Sequence, residues 1–212
     1  MKLELDHVFI LVEAGGAVAD LVAALGLKES FSRAHPGQGT TNRRFELSNS
    51  LLEFLWVHDS EEAHTGPGRE LKFNERSGNS EHSPFGLILK RAMHSDDGSP
   101  YDGWTYQPSY FKPPNAFHIG ENSSNLIEPL CIYAPFLEPN QSATTKEPFS
   151  MLSHVTITTP ATPLSNVAHS VNAANRISIR SGDQHLMELT LDANRKDKTK
   201  DFRPDIPLII NW

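Results

Sequence analysis

Leu3-Glu-Leu-Asp-His-Val-Phe-Ile-Leu-Val12 is the stretch from which the fold is best read. Its side chains divide into two alternating sets, a period of two that is typical of a β-strand. Gly15-Gly16 ends this strand. Apolar residues then recur at helical spacing up to Gly26, where a helix C-terminal cap is expected. We therefore predict a strand over residues 3–12 and a helix over about 17–25.

Three further strand-like segments follow and complete a first structural unit. A short strand pattern lies near residues 28–33, and Arg44–Leu47 and Leu51–Val57 flank the turn Ser48-Asn-Ser50. Two such segments around a short polar turn favour an antiparallel pair. The predicted order is strand, helix and three strands.

The same order of elements returns near the end of the sequence. Residues 152–159 alternate as a strand, residues 163–174 have a helical stripe, and strand patterns follow at 177–180 and 185–191. Aligning the two units places His7 on His154 and Glu53 on Glu188, which suggests an internal duplication. We predict a first βαβββ module at 1–58, a central insertion with extra strands at 59–150, and a second, diverged module with a docked tail at 151–212.

The central region allows a different topology. Phe85–Arg91 is itself a strand candidate and could occupy the first-strand position of the second unit. It carries no metal-ligating side chain on either face. In that topology His154 belongs to another strand, and the four aligned residues do not meet.

The aligned residues have a shared chemistry. A carboxylate within an apolar strand is costly to bury unless it is paired or binds a metal. His7, Glu53, His154 and Glu188 would together suit a divalent transition metal such as Zn, Fe, Ni or Mn. Such an ion could act as a Lewis acid on a small oxygenated molecule, with Glu53 or Glu188 as the catalytic base. Without Glu53, the set becomes the two-His-one-carboxylate pattern of non-haem iron oxygenases.

Other residues are candidates for substrate binding. Asn42 and Arg44 could bind a substrate carboxylate through a guanidinium, or lie on a solvated strand edge. Trp104, Tyr106 and Tyr110 could line a pocket or pack over the sheet. His118 is expected at the rim of a cavity.

Composition narrows the classes of function. The chain has 212 residues, a formal net charge of −7 and one cysteine. A negative net charge argues against nucleic-acid binding, which needs clustered Lys and Arg. One cysteine excludes an internal disulfide. No apolar stretch is long enough for a membrane span, and no signal-peptide pattern is present. We expect a cytoplasmic monomer or homodimer whose partner is a small molecule.

Several motifs resemble the vicinal oxygen chelate superfamily, the glyoxalase and bleomycin-resistance group. They are Leu5-Asp-His-Val8, Leu52-Glu-Phe54, His35-Pro-Gly-Gln-Gly-Thr-Thr-Asn-Arg-Arg44, Trp104-Thr-Tyr-Gln-Pro-Ser-Tyr110 and Glu128-Pro-Leu130. The resemblance implies an α+β fold in which two βαβββ-like modules form curved mixed sheets around a shared cleft. It also implies a metal-dependent lyase, isomerase or extradiol-type dioxygenase. The alternative is a metal-free small-molecule-binding protein of the bleomycin-resistance kind.

Overall fold

The computed structural model describes residues 2–93, 98–138, 149 and 151–212. Within these residues the chain forms an eight-stranded sheet followed by a five-stranded sheet. Both sheets are curved and mixed, and the helices are few and short. The predicted α+β class is confirmed.

The first sheet contains every strand before residue 134. In chain order they are β1 (Leu3–Leu11), β2 (Ala34–His35), β3 (Thr40–Leu47), β4 (Ser50–Val57), β5 (Phe85–Arg91), β6 (Gly103–Tyr106), β7 (Phe117–Gly120) and β8 (Leu130–Tyr133). Their order across the sheet is β2-β3-β4-β1-β5-β8-β7-β6. Helix α1 (Ala19–Leu25) follows β1, and α2 (Ser60–Thr65) and α3 (Phe73–Arg76) lie between β4 and β5.

The two halves of this sheet repeat one arrangement. β1 and β5 are antiparallel neighbours at its centre, β1 is parallel to β4, and β5 is parallel to β8. The remaining strands of each half follow as antiparallel neighbours. The strand Phe85–Arg91 therefore takes the first position of the second unit, the alternative topology left open by the sequence. The described residues between β5 and β6 form no helix.

The segment after residue 151 forms a separate layer. It contains β9 (Leu152–Thr159), α4 (Asn166–Asn172), β10 (Ile177–Ser181), β11 (Leu186–Leu191), β12 (Thr199–Asp201) and β13 (Leu208–Asn211). β9 is parallel to the next strand, β10, and antiparallel to β11, which is not the pairing of the βαβββ units. The predicted second module, residues 151–212, therefore does not have the strand pairing of a βαβββ unit, and the strands that repeat the first unit are β5 to β8. The predicted boundary at residue 150 lies outside the described residues.

One apolar core lies between the two sheets. Val8 and Ile10 of β1 and Phe54 of β4 pack there with Val155 of β9 and Met187 of β11. The buried residues of α1 and α4 belong to the same core, so α1 packs on this side of the first sheet. The opposite, concave face of the first sheet carries a second apolar cluster and is free to form a cavity.

Most of the elements predicted from periodicity are confirmed, but instead of a strand near residues 28–33 the structure has the two-residue strand β2 at Ala34–His35. The strands expected over 3–12, 51–57, 152–159 and 185–191 agree with β1, β4, β9 and β11 to within one residue. Helix α1 ends at Gly26 with φ of 105°, the left-handed conformation for which glycine is favoured. No helix among the described residues is both long and apolar enough to cross a bilayer.

Candidate active site

A cavity of about 320 Å³ opens on the concave face of the first sheet. Both halves of the first sheet line it, and the cavity therefore lies between the units of that sheet rather than between residues 1–58 and 151–212. Most of its wall is apolar, with side chains from β1, β4, β5, β7, β8 and the segments between them: Phe9, Leu55, Leu71, Phe73, Ile88, Phe111, Phe117, Ile132, Phe136 and Leu137. Its polar groups gather at one end, around the first module.

Glu53 is the central group of this polar end. Alternation along β4 turns Glu53 to the concave face and Leu52 and Phe54 to the core. Glu53 is buried, with 6% of the residue exposed. Asn42 Nδ2 donates a short hydrogen bond to Glu53 Oε1, and Arg44 Nε lies 3.7 Å from the same oxygen. The amide donor and the guanidinium thus hold a buried negative charge in place.

Two histidines complete the surroundings of Glu53. His7 Nε2 lies 3.5 Å from Glu53 Oε2, and His35 Nε2 lies 3.9 Å from Glu53 Oε1. Burial opposes ionisation of the carboxyl, but the hydrogen bond and charge of His7, with the charges of His35 and Arg44, outweigh it and lower the pKa of Glu53 to about 2. Glu53 is therefore a carboxylate at neutral pH.

An irregularity in β1 places a second carboxylate behind His7. The pairing of β1 with β5 shifts register between Leu5 and His7, so Asp6 and His7 both reach the cavity. His7 Nδ1 hydrogen-bonds to Asp6 Oδ2 at 2.7 Å, and Lys90 Nζ lies 3.0 Å from Asp6 Oδ1.

These contacts set the charge of His7. Burial lowers the pKa of His7, but its hydrogen bonds to Asp6 and Glu53 outweigh burial and raise that pKa above its ordinary value. Burial alone would raise the pKa of Asp6. The contacts with His7 and Lys90 outweigh burial and lower the pKa of Asp6 to about 2. Asp6 therefore fixes the orientation of the ring and favours its protonated form.

His35 is held differently, on a glycine-containing loop. Its Nδ1 lies 3.0 Å from Thr40 Oγ1, and burial lowers its pKa to about 4 despite the nearby charge of Glu53. The loop is tied to α2 by Glu62, which accepts hydrogen bonds from the N–H groups of Gly37 at 2.8 Å and Gly39 at 2.9 Å. His35 is thus a neutral, fixed group beside the Glu53 carboxylate.

Tyrosines close the polar end from the opposite side. Gln38 Nε2 donates to Tyr110 Oη at 2.6 Å, and the Arg33 guanidinium lies 4.9 Å from the centre of the Tyr110 ring. Burial raises the pKa of Tyr110 to about 12. The Tyr106 hydroxyl is buried and makes no hydrogen bond within the described residues.

The structure brings together six of the residues predicted for the site. His7, Asn42, Arg44, Glu53, Tyr106 and Tyr110 all line the cavity or contact a residue that does. Trp104 lies on the same face, 6.3 Å from Tyr106 between ring centres, but it lines a neighbouring surface groove and donates to Ser123 Oγ. His118 lies on the opposite face of β7, where its Nε2 contacts the Tyr101 carbonyl at 2.8 Å.

His154 and Glu188 are not part of this cavity. Their neighbours along β9 and β11, Val155 and Met187, point into the core between the sheets. His154 and Glu188 consequently lie on the outer face of the second sheet, where they contact Ser178 Oγ at 3.0 Å and Arg180 Nη2 at 2.6 Å. Since packed sheets are about 10 Å apart, these side chains and His7 cannot bind one ion. The predicted four-residue metal site is not formed.

The donor set that remains does not fit a metal ion well. Within the described residues, no group of three or more His, Cys, Asp or Glu side chains is arranged to hold one. Near Glu53, moreover, the Asn42 amide donor and the positively charged Arg44 guanidinium face the same carboxylate oxygen, and a cation there would lie against a like charge. The arrangement is that of a hydrogen-bonded acid–base pair.

Sequence reasoning missed several residues of the site. Asp6, Arg33, His35, Gln38 and Glu62 line or brace the cavity and were not selected. The loop His35-Pro-Gly-Gln-Gly39 carried a signal, because two glycines around a polar residue indicate a constrained turn. The sequence around Arg33 and Glu62 gave no such signal, because their positions depend on contacts with residues distant in sequence.

Comparisons with known proteins agree with this architecture. Residues 5–90 match the model of a family described as a glyoxalase-like domain. A hypothetical protein from Staphylococcus aureus has a similar structure, with a TM-score of 0.57, 12% identity and 98% of each chain covered. Methylmalonyl-CoA epimerase from Mycobacterium tuberculosis aligns with a TM-score of 0.39 and 13% identity, over 65% of this chain and 89% of the epimerase. None of the curated proteins matches the sequence.

The family match spans β1 to β5 and includes His7, Asn42, Arg44 and Glu53, the polar end of the cavity. The resemblance to the glyoxalase group is thereby confirmed. Residues 5–90 are thus similar in sequence to a glyoxalase-like domain.

Proposed function

We propose that this protein is a glyoxalase-like enzyme that binds a small oxygenated organic molecule and transfers protons on it with Glu53 and His7. The observation that carries the proposal is the ionised, buried carboxylate of Glu53 on the wall of a largely apolar cavity. Titratable groups with shifted pKa values in a cleft are typical of catalytic sites. A purely structural role would not require the carboxylate to face a cavity.

The cavity sets the size and polarity of the ligand. Its volume of about 320 Å³ is at the lower end for small-molecule sites, which span roughly 300–1,000 Å³. Aromatic side chains such as Phe111, Phe117 and Phe136 form one wall. A molecule with one ring or a short alkyl body and an oxygenated end is the best match.

The spacing of Glu53 and His7 supports proton transfer. The 3.5 Å between Glu53 Oε2 and His7 Nε2 is at the long limit of a hydrogen bond, so a ligand on the cavity wall can replace this contact with contacts of its own to both groups. Glu53 would accept a proton from the carbon next to a carbonyl, and His7, held by Asp6, would give a proton to the carbonyl oxygen. The product is an enol, and return of a proton to carbon completes an isomerisation.

The two steps assist each other. The low pKa of Glu53 depends on the positive charge of His7. When His7 gives its proton to the ligand, that charge is lost, and the pKa of Glu53 rises toward the value a general base needs. No metal ion enters these steps.

A second candidate function is sequestration without chemistry, as in proteins of the bleomycin-resistance kind. The apolar wall favours it, because burial of an aromatic body would suffice for affinity. In that function Glu53 and His7 would only hydrogen-bond to the ligand. The two candidates differ in whether bound molecules exchange protons with the solvent.

The test is proton exchange in D₂O. A panel of aryl-substituted ketones, 2-hydroxy ketones and 2-oxo acids is incubated with the protein, and loss of the proton next to the carbonyl is followed by NMR. We expect at least one compound to exchange faster than in buffer, and Glu53→Gln to abolish the acceleration. Glu188→Gln is the matched control, since that carboxylate lies on the other sheet.

Two results would count against the proposal. Exchange that persists unchanged in Glu53→Gln would exclude that residue as the base. Binding of panel compounds without any exchange would favour the sequestration function instead.

A further inference from the structure

We propose that the ligand of this cavity is an organic carboxylate and that Arg33 and Arg44 together bind its carboxylate group. This inference rests on the proposed function only in placing the ligand in the cavity. It adds a chemical class of ligand and a second arginine that the sequence did not select.

Arg44 reaches the cavity because of alternation along β3. Asn42 and Arg44 lie on the concave face, whereas Arg43 points to the other face and forms ion pairs with Glu29 and Asp20 at 2.6 and 2.8 Å. The Arg44 Nε atom is buried and makes no hydrogen bond within the described residues. Its distance to Glu53 Oε1, 3.7 Å, is too long for one.

Arg33 lies on the segment next to β3, opposite Asn42, and its side chain lines the same cavity as that of Arg44. Its backbone is fixed to β3, because its N–H donates to Asn42 Oδ1 at 3.0 Å and its carbonyl accepts from Thr41 Oγ1, also at 3.0 Å. The guanidinium lies over the Tyr110 ring and lines the cavity. Its Nε is buried without a hydrogen-bond partner, and no carboxylate of the described residues lies within ion-pair distance.

The other charges around the cavity are already paired. Lys90 contacts Asp6, His7 lies between Asp6 and Glu53, and the Glu62 carboxylate accepts from two backbone amides. Among the described residues, Arg33 therefore has no anionic partner, and Arg44 has only the Glu53 carboxylate at 3.7 Å, beyond hydrogen-bond distance. Guanidinium groups bind carboxylates in a planar, bidentate manner and remain charged at neutral pH.

The remaining wall selects the rest of the ligand. Beyond the arginines the cavity is mostly apolar and small, about 320 Å³. A carboxylate with one aromatic ring and a short chain would fill it, with its charged end at Arg33 and Arg44 and its carbon chain near Glu53 and His7. Such an arrangement would also bring a carbon close to the carboxylate group within reach of the acid–base pair.

The experiment compares 3-phenylpropanoate with 3-phenylpropanamide, which has the same body without the charge. Affinities are measured by calorimetry at neutral pH. We expect the acid to bind about 10- to 100-fold more tightly than the amide, the range for hydrogen bonds to charged groups. Arg33→Met and Arg44→Met should each reduce this preference while the affinity for the amide stays within about twofold.

Arg43→Met is the matched control, since Arg43 is adjacent in sequence but faces away from the cavity. It should keep the full preference for the acid. If the methionine variant unfolds, Arg33→Lys is the replacement, because it retains the charge. Since the bidentate contact is lost, the logarithm of the acid-to-amide affinity ratio should fall by about half.

The outcomes separate the two proposals. Equal binding of acid and amide by the unmodified protein would overturn the carboxylate assignment and leave the proposed function intact. Tighter binding of 2-phenylethylphosphonate than of the acid would assign the arginines to phosphoryl groups instead. Binding of none of the three probes would also overturn the carboxylate assignment, whereas the proposed function stands or falls with the proton exchange in D₂O.

Discussion

His7 Nε2 lies 3.5 Å from Glu53 Oε2 across two neighbouring strands, and each side chain sets the charge of the other. The hydrogen bond that His7 donates and its positive charge lower the pKa of Glu53, and the same contact with the Glu53 carboxylate raises the pKa of His7. Asp6 reinforces the pair from the far side of the imidazole. The site is thus a row of alternating charges, from Lys90 through Asp6 and His7 to Glu53.

The first prediction concerns the pKa of His7. Glu53→Gln removes a negative charge that favours the imidazolium, so the pKa of His7 should fall. Asp6→Asn should lower it as well, because the hydrogen bond that Asp6 accepts from His7 is the largest of the contributions that raise the pKa of His7. The measurement is an NMR titration of the His7 ring protons. Glu188→Gln should leave the titration unchanged, and an unchanged curve in Glu53→Gln would show that the two groups are not coupled.

The second prediction concerns stability below neutral pH. Burial lowers the pKa of His35 to about 4, against 6.5 in the unfolded chain. The unfolded state therefore binds more protons between these values, and stability is lost as the pH falls from about 6.5 toward 4. At about pH 5 the loss from His35 is about 2 kcal/mol. Asp6 and Glu53, with pKa values of about 2, add further losses below about pH 4.5.

Urea unfolding at several pH values checks this contribution. His35→Gln should make the free energy of unfolding depend less on pH between 7 and 5. His169→Gln, at an exposed position on α4, should not change that dependence. A pH dependence that survives in His35→Gln would assign the effect to another group.

Much of the site follows from alternation along strands. His7 and Phe9 share one face of β1, Glu53 and Leu55 share one face of β4, and Arg44 follows from β3. Sequence periodicity predicts such faces because successive side chains of a strand point to opposite sides. These residues could therefore be assigned to one surface before the structure was known.

Sheet membership does not follow from periodicity. His154 and Glu188 have the same local pattern as His7 and Glu53, but the position beside β1 is filled by Phe85–Arg91. Which strand pairs with β1 depends on contacts across the whole chain. The register shift at Asp6 has no sequence signature either, and it adds a carboxylate that the alternating pattern had assigned to the other face.

The third prediction tests the close packing of β1 and β5 beneath the cavity. Gly86 pairs with Phe9, and a Cβ atom at position 86 would overlap the Phe9 ring. Gly86→Ala should lower the free energy of unfolding by about 1–3 kcal/mol, the usual cost of overpacking. Phe9→Leu in the same chain should recover part of this loss, because the shorter side chain leaves room. If Phe9→Leu adds its own loss without recovery, the clash is elsewhere.

The fourth prediction concerns Arg76, whose guanidinium is 1% exposed. It donates to five backbone carbonyls of the segments around β5 and β8, those of Ser83, Ser123, Asn125, Leu126 and Glu128. Burial lowers its pKa to about 10. Arg76→Met should reduce the free energy of unfolding by about 3 kcal/mol or more, since buried carbonyls lose their donors. Arg76→Lys should recover little of this free energy, because an ammonium group lacks the planar, forked donors of a guanidinium and cannot reach all of the carbonyls.

The last prediction concerns Glu62 as a positioning residue for the loop that carries His35 and Gln38. Its two carboxylate oxygens accept from the N–H groups of Gly37 and Gly39, which have φ values of 85° and 66°. A Cβ atom at Gly39 would lie 2.5 Å from the Ala63 nitrogen, so the loop packs directly on α2. Glu62→Gln keeps the shape but replaces one acceptor oxygen by a donor. One of the two glycine amides then loses its partner.

We expect Glu62→Gln to speed hydrogen exchange at the Gly37 and Gly39 amides and to weaken binding of 3-phenylpropanoate several-fold. The free energy of unfolding should fall by only about 1 kcal/mol, the typical net value of one hydrogen bond. Glu61→Gln is the control, because that side chain is the exposed neighbour on α2. A structural role alone would lower stability and leave the affinity of the folded protein unchanged. Weaker binding with local exchange confined to the loop would instead establish that Glu62 acts through His35 and Gln38.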